Sequence, residues 1–167
     1  MSDARRAPVV AFIGIGSNLD EPLRQIRNAL DLLDDLPGCH VTRHSSIYQS
    51  APFGSVEQPD FMNAVAELET AVPADILLSC LQEIERGQGR SQDGERWGPR
   101  IIDLDLLVYG DAKIDLPDLQ VPHPGIGERN FVLLPLREIA PQLVIPGLGP
   151  VIGLKIDEQN PQISRIE

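Results

Sequence analysis

The order of strand and helix patterns constrains the fold more than any other feature of the sequence. The run "PVVAFIGIG" (Pro8 to Gly16) consists of β-branched and aromatic residues and ends in glycines, which is typical of a strand. In the stretch that follows, leucine or isoleucine recurs at every third or fourth position. It begins at Pro22 and closes at Pro37 and Gly38. This spacing predicts an amphipathic helix with proline at its first position.

The remaining patterns repeat this alternation. "HVTRHSSIYQS" and the alternating "FMNAVAELET" predict strands, "VPADILLSCLQEIERGQG" predicts a helix, and "IIDLDLLVY" predicts a strand. The order strand, helix, strand, strand, helix, strand predicts a ferredoxin-like α+β sandwich. We expect an antiparallel-rich sheet with helices on one face, leaving the other face uncovered, plus a C-terminal extension. "NFVLLPLREIAP" predicts a further short helix interrupted by Pro135.

These patterns favour one domain over residues 1–167. We expect residues 1–7 to be disordered and residues 146–167 to form an appended tail. No apolar run is long enough to span a bilayer, and the N-terminus lacks the pattern of a signal peptide, so we expect a cytoplasmic protein without membrane contact. Two cysteines without a CxxC motif predict buried thiols and exclude structural zinc.

The net charge of −11 excludes an extended nucleic-acid surface, because binding to a phosphate backbone needs a basic face. A small anionic ligand is still compatible with this charge if positive groups are concentrated locally. Four of the arginines lie between Arg86 and Arg100, in a chain that has only two lysines. Guanidinium groups bind phosphate oxygens in a bidentate manner, so this cluster favours a phosphate ligand. The alternative is that the arginines form ordinary surface ion pairs.

Two aspartates interrupt the last apolar strand. Residues two apart in a strand point to the same side, about 6.5 to 7 Å from each other, so Asp103 and Asp105 present their carboxylates together. The intervening and flanking residues are expected to face the helices: Ile102, Leu104, Leu106 and Val108. The pair is either a solvated strand face or a magnesium site, since hard oxygen ligands suit this cation.

Two long loops accompany the charged residues, from Ala51 to Asp60 and from Gly87 to Trp97. Trp97 is either a core residue or a stacking surface for a flat ring. Carboxylates for a metal, arginines for phosphates and a glycine-containing loop together indicate magnesium-dependent phosphoryl transfer. Two alternatives are a different metal-dependent phosphotransferase or phosphohydrolase on this scaffold, and a non-catalytic ligand-binding module.

A longer motif, "RWGPRIIDLDLL", closely resembles the signature of the 6-hydroxymethyl-7,8-dihydropterin pyrophosphokinase family. The resemblance extends over Val9 to Val144 through "GIGSNL", "SSIYQSAPFG", "QPDFMNAVAELET", "EIERGQGR", "VPHP" and "ERNFVLLPLREIAP". It implies transfer of the diphosphoryl group of ATP to the hydroxymethyl group of the dihydropterin, with release of AMP, in folate biosynthesis. It also implies a monomer that uses two magnesium ions.

The resemblance further implies a role for individual residues. The implied catalytic residues are Arg90, Arg100, Asp103 and Asp105, and the two aspartates would hold the metal. The implied ATP-binding residues are Arg90, Arg96, Arg100, His123 and Arg129. The implied pterin-binding residues are Ser50, Phe53, Phe61, Asn63, Trp97 and Phe131. The sequence departs from the family pattern at Gln92 and Asp93, where basic residues are common, and at Pro124, where an aromatic residue is common beside the histidine.

Overall fold

The computed structural model describes residues 7–52, 57–89 and 100–167. In chain order these residues form β1 (Val9–Ser17), α1 (Pro22–Asp35), β2 (Cys39–His44), β3 (Tyr48–Ser50), β4 (Phe61–Thr70), α2 (Ala74–Gly87), β5 (Asp103–Tyr109), β6 (Ile114–Leu116), β7 (Leu119–Val121), α3 (Asn130–Ile139), β8 (Val144–Ile145), β9 (Gly149–Pro150) and β10 (Ile163–Arg165), with short 3-10 helices at Ile126–Glu128 and Val151–Gly153. The expectation for residues 1–6 lies outside the described part of the chain.

The main sheet has the order β10-β3-β4-β1-β5, and its neighbouring strands are antiparallel. Strand β2 pairs with the same side of β4 as β3 does, farther along that strand. Crossovers through α1 and α2 lead to strands separated by one intervening strand, which is the split βαβ arrangement. The predicted α+β ferredoxin-like fold is therefore confirmed.

The strand predicted from "HVTRHSSIYQS" is divided into β2 and β3. At the division, Ser45 donates its backbone N–H to Val65 O at 2.8 Å and accepts the Val65 N–H on its hydroxyl at 2.9 Å. The side-chain oxygen replaces the backbone carbonyl that would continue the ladder. A hydroxyl in this position therefore ends one strand before the next begins.

The sheet has a hydrophobic core on each face. On one face, Ala11, Ile13 and Ile15 of β1 pack with buried leucines and isoleucines of α1 and α2. On the other, Phe12 and the buried side chains of α3 form a second core. The expectation of one helix-free face was wrong for this part of the sheet, because the apolar stripe of α3 covers it.

Helix α3 is continuous through Pro135, where an interruption was expected. Proline removes one N–H donor, and here it does so at the sixth of the ten helix residues, so one hydrogen bond of the helical ladder is not formed. Leu133 and Leu136, on either side of Pro135, are both buried. The packing of this face against the sheet compensates for the missing hydrogen bond.

A bulge in β5 changes which side chains face which core. Phe12 pairs with Val108 and Ile13 pairs with Leu106, so Leu107 is an extra residue on β5. Leu104 and Leu106 face α1 and α2 as predicted, and Ile102 joins the same core. Val108 instead lies in the core beneath α3 together with Leu107, so its prediction was wrong.

Residues 146–167 pack closely against the rest of the chain. Strand β10 extends the sheet by pairing with β3, and Val151 is completely buried in the core beneath α3. No helix in the described ranges is both long and apolar enough to cross a bilayer.

Candidate active site

Two glycines lie beside the two aspartates on the sheet face that α3 only partly covers. Gly16 of β1 pairs with Asp103, and Gly14 pairs with Asp105. Directly paired residues of antiparallel strands point to the same face, so each half-buried carboxylate lies beside a position that has no side chain. The central strand is therefore bare at Gly16, beside Asp103, whereas the Leu107 side chain covers Gly14: a Cβ atom there would lie 3.4 Å from Leu107 Cδ2.

The other neighbour of β1 brings an aromatic ring and an amide to the same bare position. Asn63 of β4 pairs with Gly16 on the side opposite Asp103. A Cβ atom on Gly16 would lie 3.4 Å from Asn63 Oδ1 and 4.0 Å from Phe61 Cδ1. Glycine at this position thus lets Phe61 and Asn63 lie close to the backbone of β1.

Asn63 is buried and held in place by its neighbours. Its amide nitrogen donates to the hydroxyl of Ser50 at 2.8 Å, and the two residues are only 5% and 2% exposed. The structure thus brings together three residues assigned to the pterin, namely Ser50, Phe61 and Asn63. A fourth, Phe131 at the start of α3, packs against the core on this face of the sheet.

Arg129 provides positive charge beside the aspartates. Its Nη1 lies 3.8 Å from Asp105 Oδ2, and its guanidinium lies 5.9 Å from the centre of the Phe131 ring. The guanidinium also occupies the space where Gly125 would carry a side chain, since a Cβ atom there would be 2.8 Å from Arg129 Nε. Gly125 therefore permits the position of Arg129, between the acidic pair and the aromatic ring.

His123 lies close to the same charges and is mostly buried. Its backbone N–H donates to Leu107 O, and its Nδ1 accepts the N–H of Gly125 at 3.0 Å, which places the ring proton of the neutral form on Nε2. Burial lowers the pKa of His123, Arg129 lowers it further, and Asp103 opposes them. His123 is thus a neutral hydrogen-bond donor near pH 7.

Arg100 stands just before β5, and its backbone is fixed by Asn18. The Asn18 side chain accepts the Arg100 N–H on Oδ1 at 2.8 Å and donates from Nδ2 to Gln58 Oε1 and Pro59 O, each at 2.9 Å. Asn18 therefore joins the segment before β5 to the segment before β4. Sequence reasoning missed this role, although Asn18 belongs to the quoted "GIGSNL" motif.

One contact of α2 fixes the other side of β5, and a second joins the end of α2 to α1. Glu85 is buried, and its carboxylate accepts the N–H of Leu104, the residue between the two aspartates, at 2.7 Å. Gln88 donates to both oxygens of Gln25, at 3.1 Å to the backbone and 2.9 Å to the side chain. Glu85 was not predicted, and its only signal is an acid next to the apolar stripe of a helix.

A cavity of about 320 Å³ opens along the free edge of β5, next to the aspartates. It is lined by four leucines, by several polar residues, and by Asp105 and His123. The leucines are Leu78, Leu104, Leu106 and Leu119. The sequence did not predict this cavity, because helical or strand periodicity assigns such leucines to the core.

The acidic pair has the chemistry of a magnesium site that is completed by a ligand. The described residues contain no group of three or more histidines, cysteines and acids placed to hold a metal ion. Magnesium is usually bound through one or two carboxylates and takes its other ligands from water and phosphate. Two carboxylates beside two glycines and an arginine fit that mode. Arg90, Arg96, Trp97 and Phe53 lie outside the described residues and remain predictions.

The sequence of this chain is similar to those of known pyrophosphokinases. Residues 12–141 match the family model described as 7,8-dihydro-6-hydroxymethylpterin-pyrophosphokinase. The chain is 47% identical to the 2-amino-4-hydroxy-6-hydroxymethyldihydropteridine pyrophosphokinase of Pseudomonas aeruginosa over 135 residues, 81% of this chain and 83% of that protein. The corresponding enzyme of Haemophilus influenzae is 44% identical over 138 residues, 83% of this chain and 86% of its own length.

A solved structure supports the fold. The wild-type HPPK-DHPS of Plasmodium falciparum with pteroate superposes with a TM-score of 0.71 and 14% identity, over 92% of this chain. The chain spans 43% of that longer protein. Because the family model matches most of the sequence, and the bacterial relatives are matched over most of their length, the chain belongs to the 7,8-dihydro-6-hydroxymethylpterin-pyrophosphokinase family.

Proposed function

We propose that this chain transfers the diphosphoryl group of ATP to the hydroxymethyl group of 6-hydroxymethyl-7,8-dihydropterin and releases AMP, a step of folate biosynthesis. One observation carries the proposal: on one sheet face, the position of Gly16, which has no side chain, separates an acidic and cationic half-site from an aromatic and amide half-site. A triphosphate fits the first half and a flat heterocycle with polar edges fits the second. Transfer between two bound molecules requires this adjacency.

Asp103 and Asp105 would hold magnesium. We propose two ions, which is the number that the resemblance to the family implies. Bound magnesium would offset the negative charge of the triphosphate and polarise the phosphorus that is attacked. The chain's contribution is to supply both carboxylates from one rigid strand. The Glu85 carboxylate fixes the backbone between them.

The cationic residues would orient the triphosphate. Arg129 is already placed beside Asp105, and His123 offers its Nε2–H as a neutral donor to a phosphate oxygen. The Arg100 backbone is fixed by Asn18, so its side chain starts from a defined position next to β5. We also assign Arg90 and Arg96 to the triphosphate, on the basis of the family resemblance.

The pterin would be bound through its faces and one edge. Phe61 and Phe131 would provide aromatic surface for stacking, and Asn63, oriented by Ser50, would hydrogen-bond the polar edge of the ring. Because Asn63 is anchored by a buried hydroxyl, its amide is oriented before the ligand arrives. Phe53 and Trp97 are proposed to complete this subsite.

The adenine of ATP would occupy the cavity along the free edge of β5. Its leucines provide apolar surface for a flat base, and Asp105 and His123 at its border connect it to the triphosphate half-site. A nucleotide placed this way extends from the cavity across β5 toward Gly16. Its triphosphate would then pass both aspartates before reaching the pterin.

Identification of the nucleotide product tests the proposal. Purified protein is incubated with ATP, magnesium and the hydroxymethyl dihydropterin, and we expect AMP and the pterin diphosphate in equal amounts. Formation of ADP or inorganic phosphate would instead indicate a different phosphotransferase or phosphohydrolase. Ligand binding without turnover would indicate a non-catalytic module.

A further inference from the structure

We propose that Asn130 is a positioning residue for the pterin subsite, because its amide fastens the C-terminal segment (residues 157–165) between the two walls of that subsite. One wall is the start of α3 with Phe131, and the other is β3 with Ser50. The inference rests on the function proposed above. It assigns a role to a segment that lies outside the region matched by the family model, residues 12–141.

The first fastening is made by Asn130 itself. The residue is 3% exposed, and its Nδ2 donates two hydrogen bonds of 2.7 Å, to Asp157 O and to Pro161 O. Its Oδ1 has no hydrogen-bond partner among the described residues. Both bonds to the segment therefore depend on the amide N–H groups, which an acid of the same shape would lack. Asn130 directly precedes Phe131 in the chain.

The second contact of the C-terminal segment, with β3, follows immediately along the chain. Gln162 O accepts the N–H of Ala51 at 2.9 Å, and Ile163 pairs with Ser50 where β10 joins β3. Ser50 in turn accepts the hydrogen bond of Asn63. One side of β3 therefore contacts Asn63, whose amide is proposed to bind the pterin. The outer edge of β3 is held by the C-terminal segment.

Successive residues of the segment thus bind opposite walls. Pro161 O is bonded to Asn130 and Gln162 O to Ala51, and these carbonyls are one residue apart, about 3.3 to 3.6 Å of chain. Such a short link sets the separation between the start of α3 and β3. Without it, Glu138 and Tyr48 would still join α3 to β3 at the other end of the helix, but the end that carries Phe131 would lose its direct link to Ser50.

The triphosphate half-site depends on other contacts. Asp103 and Asp105 lie on β5, which β4 and β1 separate from β3. Arg129 directly precedes Asn130, but its side chain is held separately, by Asp105 and by the space at Gly125. Loss of the segment should therefore affect the pterin more than the nucleotide. A purely structural role would affect both substrates alike.

The test compares the substrate dependence of Asn130→Asp with that of the wild-type full-length chain. Asp has the shape of Asn but no N–H group: it donates no hydrogen bond when ionised and at most one when protonated, in place of two. An acid in the first turn of a helix does not weaken the helix. We expect the KM for the pterin to rise about tenfold, as for the loss of one to two hydrogen bonds, and the KM for ATP to change less than about twofold. Asn130→Ser, which keeps one donor, should give an intermediate KM and serves if Asn130→Asp does not fold.

Amide hydrogen exchange provides a second readout. In Asn130→Asp we expect faster exchange in peptides that cover residues 47–51 and 157–167, and unchanged exchange in β2. Leu33→Ala, which creates a cavity beneath α1, is the matched control. It should lower the melting temperature without changing the ratio of the two KM values.

Three outcomes would overturn the inference. The first is unchanged kinetics in Asn130→Asp, and the second is an equal rise of its KM values for the pterin and for ATP. The third is a change in the ratio of these two KM values in Leu33→Ala that is as large as the change in Asn130→Asp. A wild-type protein that produces no AMP from ATP and the pterin would instead refute the proposed function, and the inference with it. Normal wild-type turnover with any of those three outcomes refutes the inference alone.

Discussion

The two aspartates of β5 have different neighbours although they share one face. Asp105 lies 3.8 Å from Arg129, whereas Asp103 acts on His123 and raises its pKa against the effects of burial and Arg129. A partly exposed ion pair of this length contributes little to folding, roughly 0 to 1 kcal/mol. The acids are therefore better explained by a ligand than by stability.

We predict that Asp103→Asn and Asp105→Asn each lower AMP formation by about 10³-fold or more, because the amide removes the charge that holds the metal. The free energy of unfolding should change by less than about 1 kcal/mol, measured by urea titration. Asp111→Asn, at an exposed position just beyond the far end of β5, is the control and should retain full turnover. Wild-type turnover in either site variant would show that this pair does not bind the metal.

We predict a pH-dependent contribution of His123 to stability. Its pKa is lowered in the folded state, so below about pH 6.5 the unfolded chain binds a proton that the folded chain resists. The free energy of unfolding should therefore fall as the pH drops from 7.5 to 5.5, and fall less steeply in His123→Gln. Equal slopes in wild type and His123→Gln would contradict the burial of this imidazole.

At the scale of secondary structure elements, the alternation of β5 correctly predicted that Asp103 and Asp105 share one face, and it failed just beyond them. The period of two placed both aspartates on one face because the strand is regular from Asp103 to Leu106. The bulge at Leu107 then reversed the prediction for Val108. A bulge among leucines and valines carries no glycine or proline that could reveal it in the sequence.

Other parts of the site differ in how far the sequence could predict them. His123 and Arg129 lie far along the chain from β5, and only the family motifs connected them with it. Asn18 and Glu85 were missed because their importance comes from backbone atoms that they bind in distant segments. Helix α3 was predicted, but its position on the second face was missed, because an apolar stripe indicates burial without indicating which face of the sheet the helix covers.

We predict that Glu138→Gln loosens α3 from β3. Burial would raise the pKa of Glu138, but hydrogen bonds from the Tyr48 hydroxyl and from Ser46 outweigh it and the pKa lies below its ordinary value. The stability that these bonds contribute is present above the ordinary pKa and is lost as the pH falls through the lower folded value. The variant should lose about 1 to 2 kcal/mol at pH 7 in urea titration, and the difference should shrink below about pH 4.

The control for this prediction is Glu69→Gln on the exposed side of β4, which should leave stability nearly unchanged. The hydrogen bond from the Tyr48 hydroxyl to Glu138 also affects the pKa of the tyrosine. Together with burial, Glu138 raises the pKa of Tyr48 to about 12. A difference between wild type and Glu138→Gln that stays constant down to pH 3 would show that the carboxylate form is not what joins the two elements.

At the scale of the whole molecule, the excess of acids opposes the binding of free ATP. The chain carries 25 acidic and 14 basic residues, and ATP is itself an anion. Attraction has to come from local positive charge and from a cation that cancels part of the repulsion. Nucleotide binding by this protein should therefore depend strongly on divalent metal.

We predict that ATP raises the melting temperature only when magnesium is present. A nucleotide at about 100 times its Kd stabilises the folded chain by about 2.7 kcal/mol, which is a shift of several degrees in a thermal scan. Addition of EDTA should abolish the shift, and Asp105→Asn should show little shift with or without metal. An equal shift with and without EDTA would mean that the nucleotide binds independently of the acidic pair.

The contacts of Gln25 and Asn18 fix the two points where the chain leaves α2 and returns to β5. Gln25 holds Gln88, where α2 ends, and Asn18 holds Arg100, where the chain returns to β5. A Cβ atom on Gly89 would lie only 3.3 Å from Ile101, so the departure and return points are adjacent. Both are held by the eight-residue stretch from Asn18 to Gln25, which runs from the end of β1 into the first turn of α1. We therefore expect insertions, deletions or charge changes between residues 90 and 99 to leave the positions of Asp103 and Asp105 unchanged.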